Sequence, residues 1–260
     1  MYDTLKVSTD ARGVATVCLY RPERHNAMSG EMISELTACA ARLDADPEVR
    51  VVVLTGDGAS FCAGGDLNWM KAQMRASEDA RFAEAKKLAM MLFQWNTLSK
   101  PVIGRAQGQA FGGGIGLLCI CDIAIGVEGA KFGLTETKLG LIPATIGPYV
   151  VARMGEAHAR RVFMSSRAFD ATEAVGLGVI AKVVGTDDLD GAVEAEVVPY
   201  LKCAPGAVAD AKALARRLGP VIDESVIDAS IKALVARWAG TEAQEGIAAF
   251  FEKRPAKWLS

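Results

Sequence analysis

Two glycine-rich turns, Phe61-Cys62-Ala63-Gly64-Gly65-Asp66 and Gly112-Gly113-Gly114-Ile115-Gly116, constrain this chain more than any other feature. Each follows a short apolar, β-like run and leads into a helix-like run, so each reads as a strand-to-helix corner. Glycine at a helix start costs backbone entropy, a cost that makes sense where something must approach the backbone closely. A helix N-terminus also presents unpaired N–H groups and the positive end of the helix dipole. Two such corners, brought together, aim amide donors from separate parts of the chain at one point. That is the arrangement that stabilises charge on a carbonyl oxygen in a transition state. Tight helix-to-strand packing, with glycine used only to avoid a clash, stays open as the alternative. Nucleotide-binding loops fit poorly, because the cluster lacks the dinucleotide spacing and no Lys-Ser or Lys-Thr follows it.

A chain of 260 residues, 51% hydrophobic and 23% charged, is long enough to bury a core and too apolar to be disordered. A formal net charge of −2 gives no electrostatic case for nucleic acid or for an anionic membrane surface. Met1-Tyr2-Asp3-Thr4-Leu5 carries no apolar signal region, and the run from Ile115 to Val127 is interrupted by Gly116, Asp122 and Gly126. The six cysteines show no zinc spacing and only His25 and His158 could assist them, so no metal site is expected. The cytoplasm is the expected compartment.

Leu5 to Thr9 and Ala15 to Leu19 alternate around a turn-forming Asp10-Ala11-Arg12-Gly13 and predict a hairpin. Ser29 caps a predicted helix through Leu43, and Val51-Val52-Val53-Leu54 predicts a strand buried on both faces. One long helical stretch is expected from Leu67 towards Trp95, then a strand at Pro101-Val102-Ile103, a helix from Gly113 or Gly114 to Cys121, and a strand from Asp122 to Val127. After Val184 the pattern is helical only, with helices expected at Leu189–Lys202, Pro205–Arg217, Asp223–Trp238 and Glu242–Lys253. The expectation is an α/β core over residues 1–185 that carries the active site, followed by a helical region over 186–260.

Single residues are less eloquent. Asp66 stands where a helix N-cap belongs, a sufficient structural reason for it. Trp69 and Met70 are candidates for an acyl pocket, although an apolar pair on a helix is also ordinary core. Glu136 follows Phe132-Gly133-Leu134-Thr135, and spacing alone does not make it catalytic.

Taken together, several ordered stretches resemble the enoyl-CoA hydratase/isomerase superfamily, the crotonase family. They are Arg21 to Met28, Phe61 to Met70, Gly108 to Gly114, Cys121 to Ala124, Lys131 to Gly133, Glu136 to Pro143 and Ala249 to Arg254. The resemblance implies a spiral of ββα units with C-terminal helices that build trimers or hexamers. It also implies an acyl-CoA thioester substrate, with coenzyme A as part of the substrate and no separate cofactor. By position, the N–H groups of Ala63 and Gly113 would hold the thioester oxygen and Glu136 would move protons. Arg24 and Ala27 would lie along CoA, and Ala63, Gly64, Gly65 and Asp66 would border its pantetheine and adenine. Phe250 and Lys253 would reach CoA from the same or a neighbouring subunit.

One position departs from the family pattern. Two-carboxylate hydratases of the family place a glutamate three residues after the second oxyanion donor, and here that acyl-pocket position is Gly116. A single carboxylate suffices for water addition or for moving a double bond, and a silent acyl-CoA binder is a third reading. The stretches around Trp69 and Leu141 to Val151 resemble methylglutaconyl-CoA and isohexenylglutaconyl-CoA hydratases of leucine and acyclic-terpene breakdown. The expectation is therefore a hydratase for a branched or carboxylated 2-enoyl-CoA.

Overall fold

The computed structural model describes residues 2–259, so Met1 of the N-terminal pentapeptide lies outside them. Among these residues the strands are β1 (Leu5–Thr9), β2 (Val14–Leu19), β3 (Val51–Gly56), β4 (Ser60–Cys62), β5 (Val102–Ala106), β6 (Gln109–Phe111), β7 (Ile123–Val127), β8 (Lys131–Gly133), β9 (Ala168–Asp170) and β10 (Lys182–Val184). The α-helices of the first two thirds are α1 (Gly30–Ala45), α2 (Leu67–Arg75), α3 (Glu78–Thr97), α4 (Gly113–Cys119), α5 (Gly147–Met154), α6 (Glu156–Phe163) and α7 (Ala171–Gly176). Only helices follow β10: α8 (Leu189–Leu201), α9 (Pro205–Leu218), α10 (Glu224–Trp238) and α11 (Thr241–Glu252), with short 3-10 turns between some elements.

Two sheets carry the chain. One has six strands in the order β1-β2-β3-β5-β7-β10, the other four in the order β4-β6-β8-β9. The chain leaves the large sheet for a strand of the small one and then enters a helix, so the ββα unit recurs as β3-β4-α2 and β5-β6-α4. β1 and β2 form the expected hairpin, pairing Leu5 with Leu19 and Thr9 with Ala15. All of β3 is buried, as a β-branched run flanked by strands on both sides requires. In the small sheet β4, β6 and β8 run parallel and side by side, and β9 closes the far edge antiparallel. Their C-terminal ends therefore open on one side, where ligands of parallel sheets are bound.

The sequence expectation of one helix from Leu67 to Trp95 is corrected. The chain breaks at Ala76-Ser77, where the Ser77 hydroxyl accepts from the Ala80 N–H at 3.3 Å and starts α3 afresh. Glu78 and Asp79 in its first turn suit the helix dipole.

Three of the helices after β10 pack onto the elements that precede them. Leu189, Val193 and Val197 of α8 belong to the main core beneath the large sheet. Ile227, Ile231 and Trp238 of α10 and Ile247 of α11 share a second cluster with Ala85 and Ala89 of α3 and with Leu141 and Ala144. Among the described residues, no helix is long and apolar enough to cross a membrane.

Candidate active site

Three segments leave the adjacent ends of β4, β6 and β8: the first glycine turn, the second glycine turn, and Leu134-Thr135-Glu136. Adjacency of parallel strands is thus the reason residues so far apart in sequence converge. The two turns touch backbone to backbone. A methyl group added to Gly64 would lie 2.9 Å from the Phe111 carbonyl oxygen and 3.5 Å from the Gly113 nitrogen. At Gly114 it would lie 2.3 Å from the Cys62 carbonyl oxygen. Gly64, at φ +95°, also adopts a backbone conformation that side chains disfavour. The close approach, one of the two alternatives left by the sequence, is therefore present, and it brings the amides of both turns to one place.

Which amides remain free corrects the sequence expectation. The Ala63 N–H donates to the His25 carbonyl at 2.9 Å, so it is not available to a substrate oxygen. The unengaged donor of this turn is Gly65. A parallel bridge pairs Gly65 with Met28, using the Gly64 carbonyl (2.7 Å) and the Asp66 N–H (3.0 Å) and leaving the Gly65 N–H on the other side. In the second turn Gly113 is the first residue of α4, where no intrahelical acceptor exists. Gly112 precedes it at φ 49°, ψ −116°.

Glu136 opens a one-turn 3-10 helix, Glu136–Leu139. Its Oε1 lies 3.2 Å from where a Gly112 side-chain carbon would sit, and its Oε2 is buried with no hydrogen-bond partner. Burial pushes the carboxyl up to about 7, against the weaker pull of the backbone amides of Glu136 and Thr135. The turn is clamped from two sides. Gly140 and Gly246 let α11 approach backbone to backbone: side-chain carbons there would come within 2.5 Å of the Glu242 carbonyl and 2.6 Å of Leu139. Opposite, the Ser166 hydroxyl bonds that of Thr137 and accepts from the Lys138 N–H at 3.3 Å.

A folded carboxyl held above its unfolded value binds more protons than the unfolded chain does between the two values. Stability is therefore full below about 4.5 and falls as pH rises through about 7, costing about 3 kcal/mol above that. Glu136→Gln removes this cost, so the melting temperature of the variant should exceed wild type by more at pH 8 than at pH 5. Equal differences at both pH values would contradict a desolvated carboxyl.

These groups border a cavity of about 370 Å³. Ala63, Gly64, Gly65, Trp69, Met70, Gly113, Glu136 and Phe250 line it, as do Met28, Leu88, Leu141, Ile146, Leu234 and Trp238. Trp69 and Met70 lie directly against Gly65, 4.0 and 3.9 Å from a carbon added there. Phe250, 48% exposed, reaches the cavity of its own chain. Leu234 and Trp238 escaped the sequence reading because nothing in an amphipathic helix tells which buried residue faces a cavity rather than core.

Other expected residues stand elsewhere. Arg24 and Lys253 are exposed and do not line the cavity. Nor does Ala27, whose carbonyl accepts from Arg21 Nη1 at 2.5 Å. The Asp66 carboxylate is spent on structure: it accepts from the N–H groups of Asn68 (2.8 Å) and Trp69 (3.3 Å) and pairs with Arg21 at 3.0 Å. Gly116 is not itself a lining residue, because Ile146 fills the space in front of it. A carboxylated acyl group would call for a cation near its far end, and of Lys71, Lys138 and Arg153 only Lys138 lines the cavity. Lys71 sits over the Phe251 ring at 4.4 Å, and Arg153 donates to the Asp122 carbonyl at 3.2 Å.

The family model for enoyl-CoA hydratase/isomerase matches residues 9–260. An enoyl-CoA hydratase of Alternaria alternata, ACTT6, is 33% identical over 92% of this chain and 78% of its own. A crystal structure of an enoyl-CoA hydratase from Shewanella pealeana is 37% identical, superposes with a TM-score of 0.82, and is matched over 99% of this chain and 97% of its own. AtuE of Pseudomonas aeruginosa gives a TM-score of 0.80 at 34% identity, over 99% of this chain and 100% of its own. A strand-end site with two free amides and one buried acid, on a fold matched end to end, places the chain: it belongs to the enoyl-CoA hydratase/isomerase family.

Proposed function

We propose that this protein adds water across the 2,3 double bond of an enoyl-CoA thioester. The carrying observation is the Glu136 carboxylate, whose buried Oε2 has no hydrogen-bond partner, in one cavity with the unengaged N–H groups of Gly65 and Gly113. In this reading the two amides receive the thioester oxygen. Glu136 takes a proton from water as the oxygen attacks C3, and electrons flow through C2 to the thioester oxygen. Collapse of the enolate then takes the proton back from Glu136 at C2, on the same face. A carboxyl titrating near 7 is suited to both halves of this exchange. Each amide contributes about 3 kcal/mol to lowering the barrier.

The acyl group is a branched or carboxylated one. Leu88, Leu141, Ile142, Ile146, Leu234 and Trp238 suit a bulky apolar body, and Lys138 is the cation available to a carboxylate at its far end. A second reading, transfer of a proton from C2 to C4 without water, is favoured by the absence of a second acid at Gly116. The outward groove of Phe163, Met164, Val221 and Val226, two of them 69% exposed, supports self-association as a trimer or hexamer.

A panel of crotonyl-, 3-methylcrotonyl- and 3-methylglutaconyl-CoA, read by product mass, tests the reading. Hydration adds one water; double-bond movement leaves the mass unchanged. Lys138→Ala should raise KM about tenfold for the carboxylated thioester and leave the neutral ones unchanged. Uniform change across the panel would remove the carboxylate from the proposal.

A further inference from the structure

Gly116 and Ile146 come from different segments and meet just behind the cavity wall, which Ile146 lines. Gly116 lies one helical turn beyond Gly113 on α4, on the same helix face as the proposed amide donor. A side-chain carbon at 116 would stand 2.4 Å from Ile146 Cγ2 and 3.0 Å from its Cβ, with Leu92 Cδ1 at 3.7 Å on another side. Ile146 is 1% exposed, immediately precedes α5, and accepts from the N–H groups of Tyr149 and Val150 at 3.1 and 3.0 Å. Its backbone is thus fixed by the start of a helix, and its branched side chain has few rotamers to retreat into.

We infer that Ile146 is a specificity-determining residue: it occupies the volume that a side chain at position 116 would claim and limits the bulk of the acyl group at the carbon beside the thioester. This role rests on the proposed placement of the thioester, since Ile146 lines the same cavity as Gly113. The glycine and the isoleucine are a matched pair. A larger residue at 116 needs a smaller one at 146, and a smaller residue at 146 alone opens room towards C2. An alkyl group is the chemical class this opening admits, because the wall around it, Leu92 included, is apolar.

The test uses wild type, Gly116→Ala, Ile146→Ala and the double variant, in the intact protein. Gly116→Ala alone should lower the melting temperature by about 5 °C or more, because a buried β-branched group cannot give way. Added to Ile146→Ala, the same change should cost less than half as much, since the Cγ2 contact is gone. Independently, Ile146→Ala should shift selectivity, read as a ratio of specificity constants, about tenfold from crotonyl-CoA towards its 2-methyl homologue. Additive melting shifts would show that Ile146 does not hold that volume, and an unchanged ratio in a folded, active variant would overturn its role in selectivity. If wild type turned over no enoyl-CoA, the functional reading would be what failed. The melting shifts would still decide whether the two residues are matched.

Discussion

Glu136→Gln should abolish nearly all turnover, by about 10³-fold, while an enoyl-CoA still binds with its wild-type Kd within a few fold. Glutamine keeps the size and polarity of the side chain but cannot exchange a proton with water or with C2, and proton transfer by a placed carboxyl contributes on this scale. Nothing structural should collapse. The Oε2 atom has no hydrogen-bond partner to lose, and removing a desolvated acid relieves the fold rather than loading it. Steady-state kinetics beside calorimetric binding of the same thioester checks both halves. Equal loss of binding and turnover would make Glu136 a structural residue. Unchanged turnover would remove Glu136 from the proton transfer, and a silent acyl-CoA binder would show no turnover in wild type either.

Gly114→Ala should cost about 10²-fold in kcat without touching any group that meets the substrate. The added carbon would press on the Cys62 carbonyl oxygen at 2.3 Å and the Cys62 Cβ at 3.0 Å, so the strand end and α4 must move apart. Backbone cannot swing aside as the end of a long side chain can. A displacement of that kind between the Gly65 and Gly113 amides spoils their joint aim, and misplacement by about 1 Å is enough for a loss of this size. Gly65→Ala is the matched control: its nearest neighbours are 3.9 and 4.0 Å away, so activity should stay within a few fold of wild type. Comparable losses in both variants would mean that alanine, rather than separation of the turns, is the cause.

Much of this architecture was legible in the sequence because local chemistry and global fold agree. The alternation of Leu5 to Leu19 around Gly13, the β-branched run at Val51, and the cap at Ser29 each carry a local reason that the fold uses. Ser77 carried one too, but the helix formers on both sides of it masked the break. The glycine turns were legible as strand-to-helix corners that converge, yet which amide of the first turn stays free was not. That depends on pairing with His25 to Met28, segments distant in the chain, which consumes the Ala63 N–H and spares that of Gly65. Convergence across helices was equally hidden. Leu234 and Trp238 reach the cavity only because α10 packs on α3 and α5, and Ile146 meets Gly116 only because α5 starts beside α4.

If two unengaged amides polarise one thioester carbonyl beside a lone acid, the carbonyl bond itself should report it. The most direct measurement is the infrared stretch of an isotopically labelled thioester carbonyl bound to Glu136→Gln, where chemistry is stopped and the amides are intact. A stretch at clearly lower frequency than for the same thioester in water is expected, with most of that shift lost when Gly114→Ala is added. A bound carbonyl absorbing at its aqueous frequency or above would contradict it.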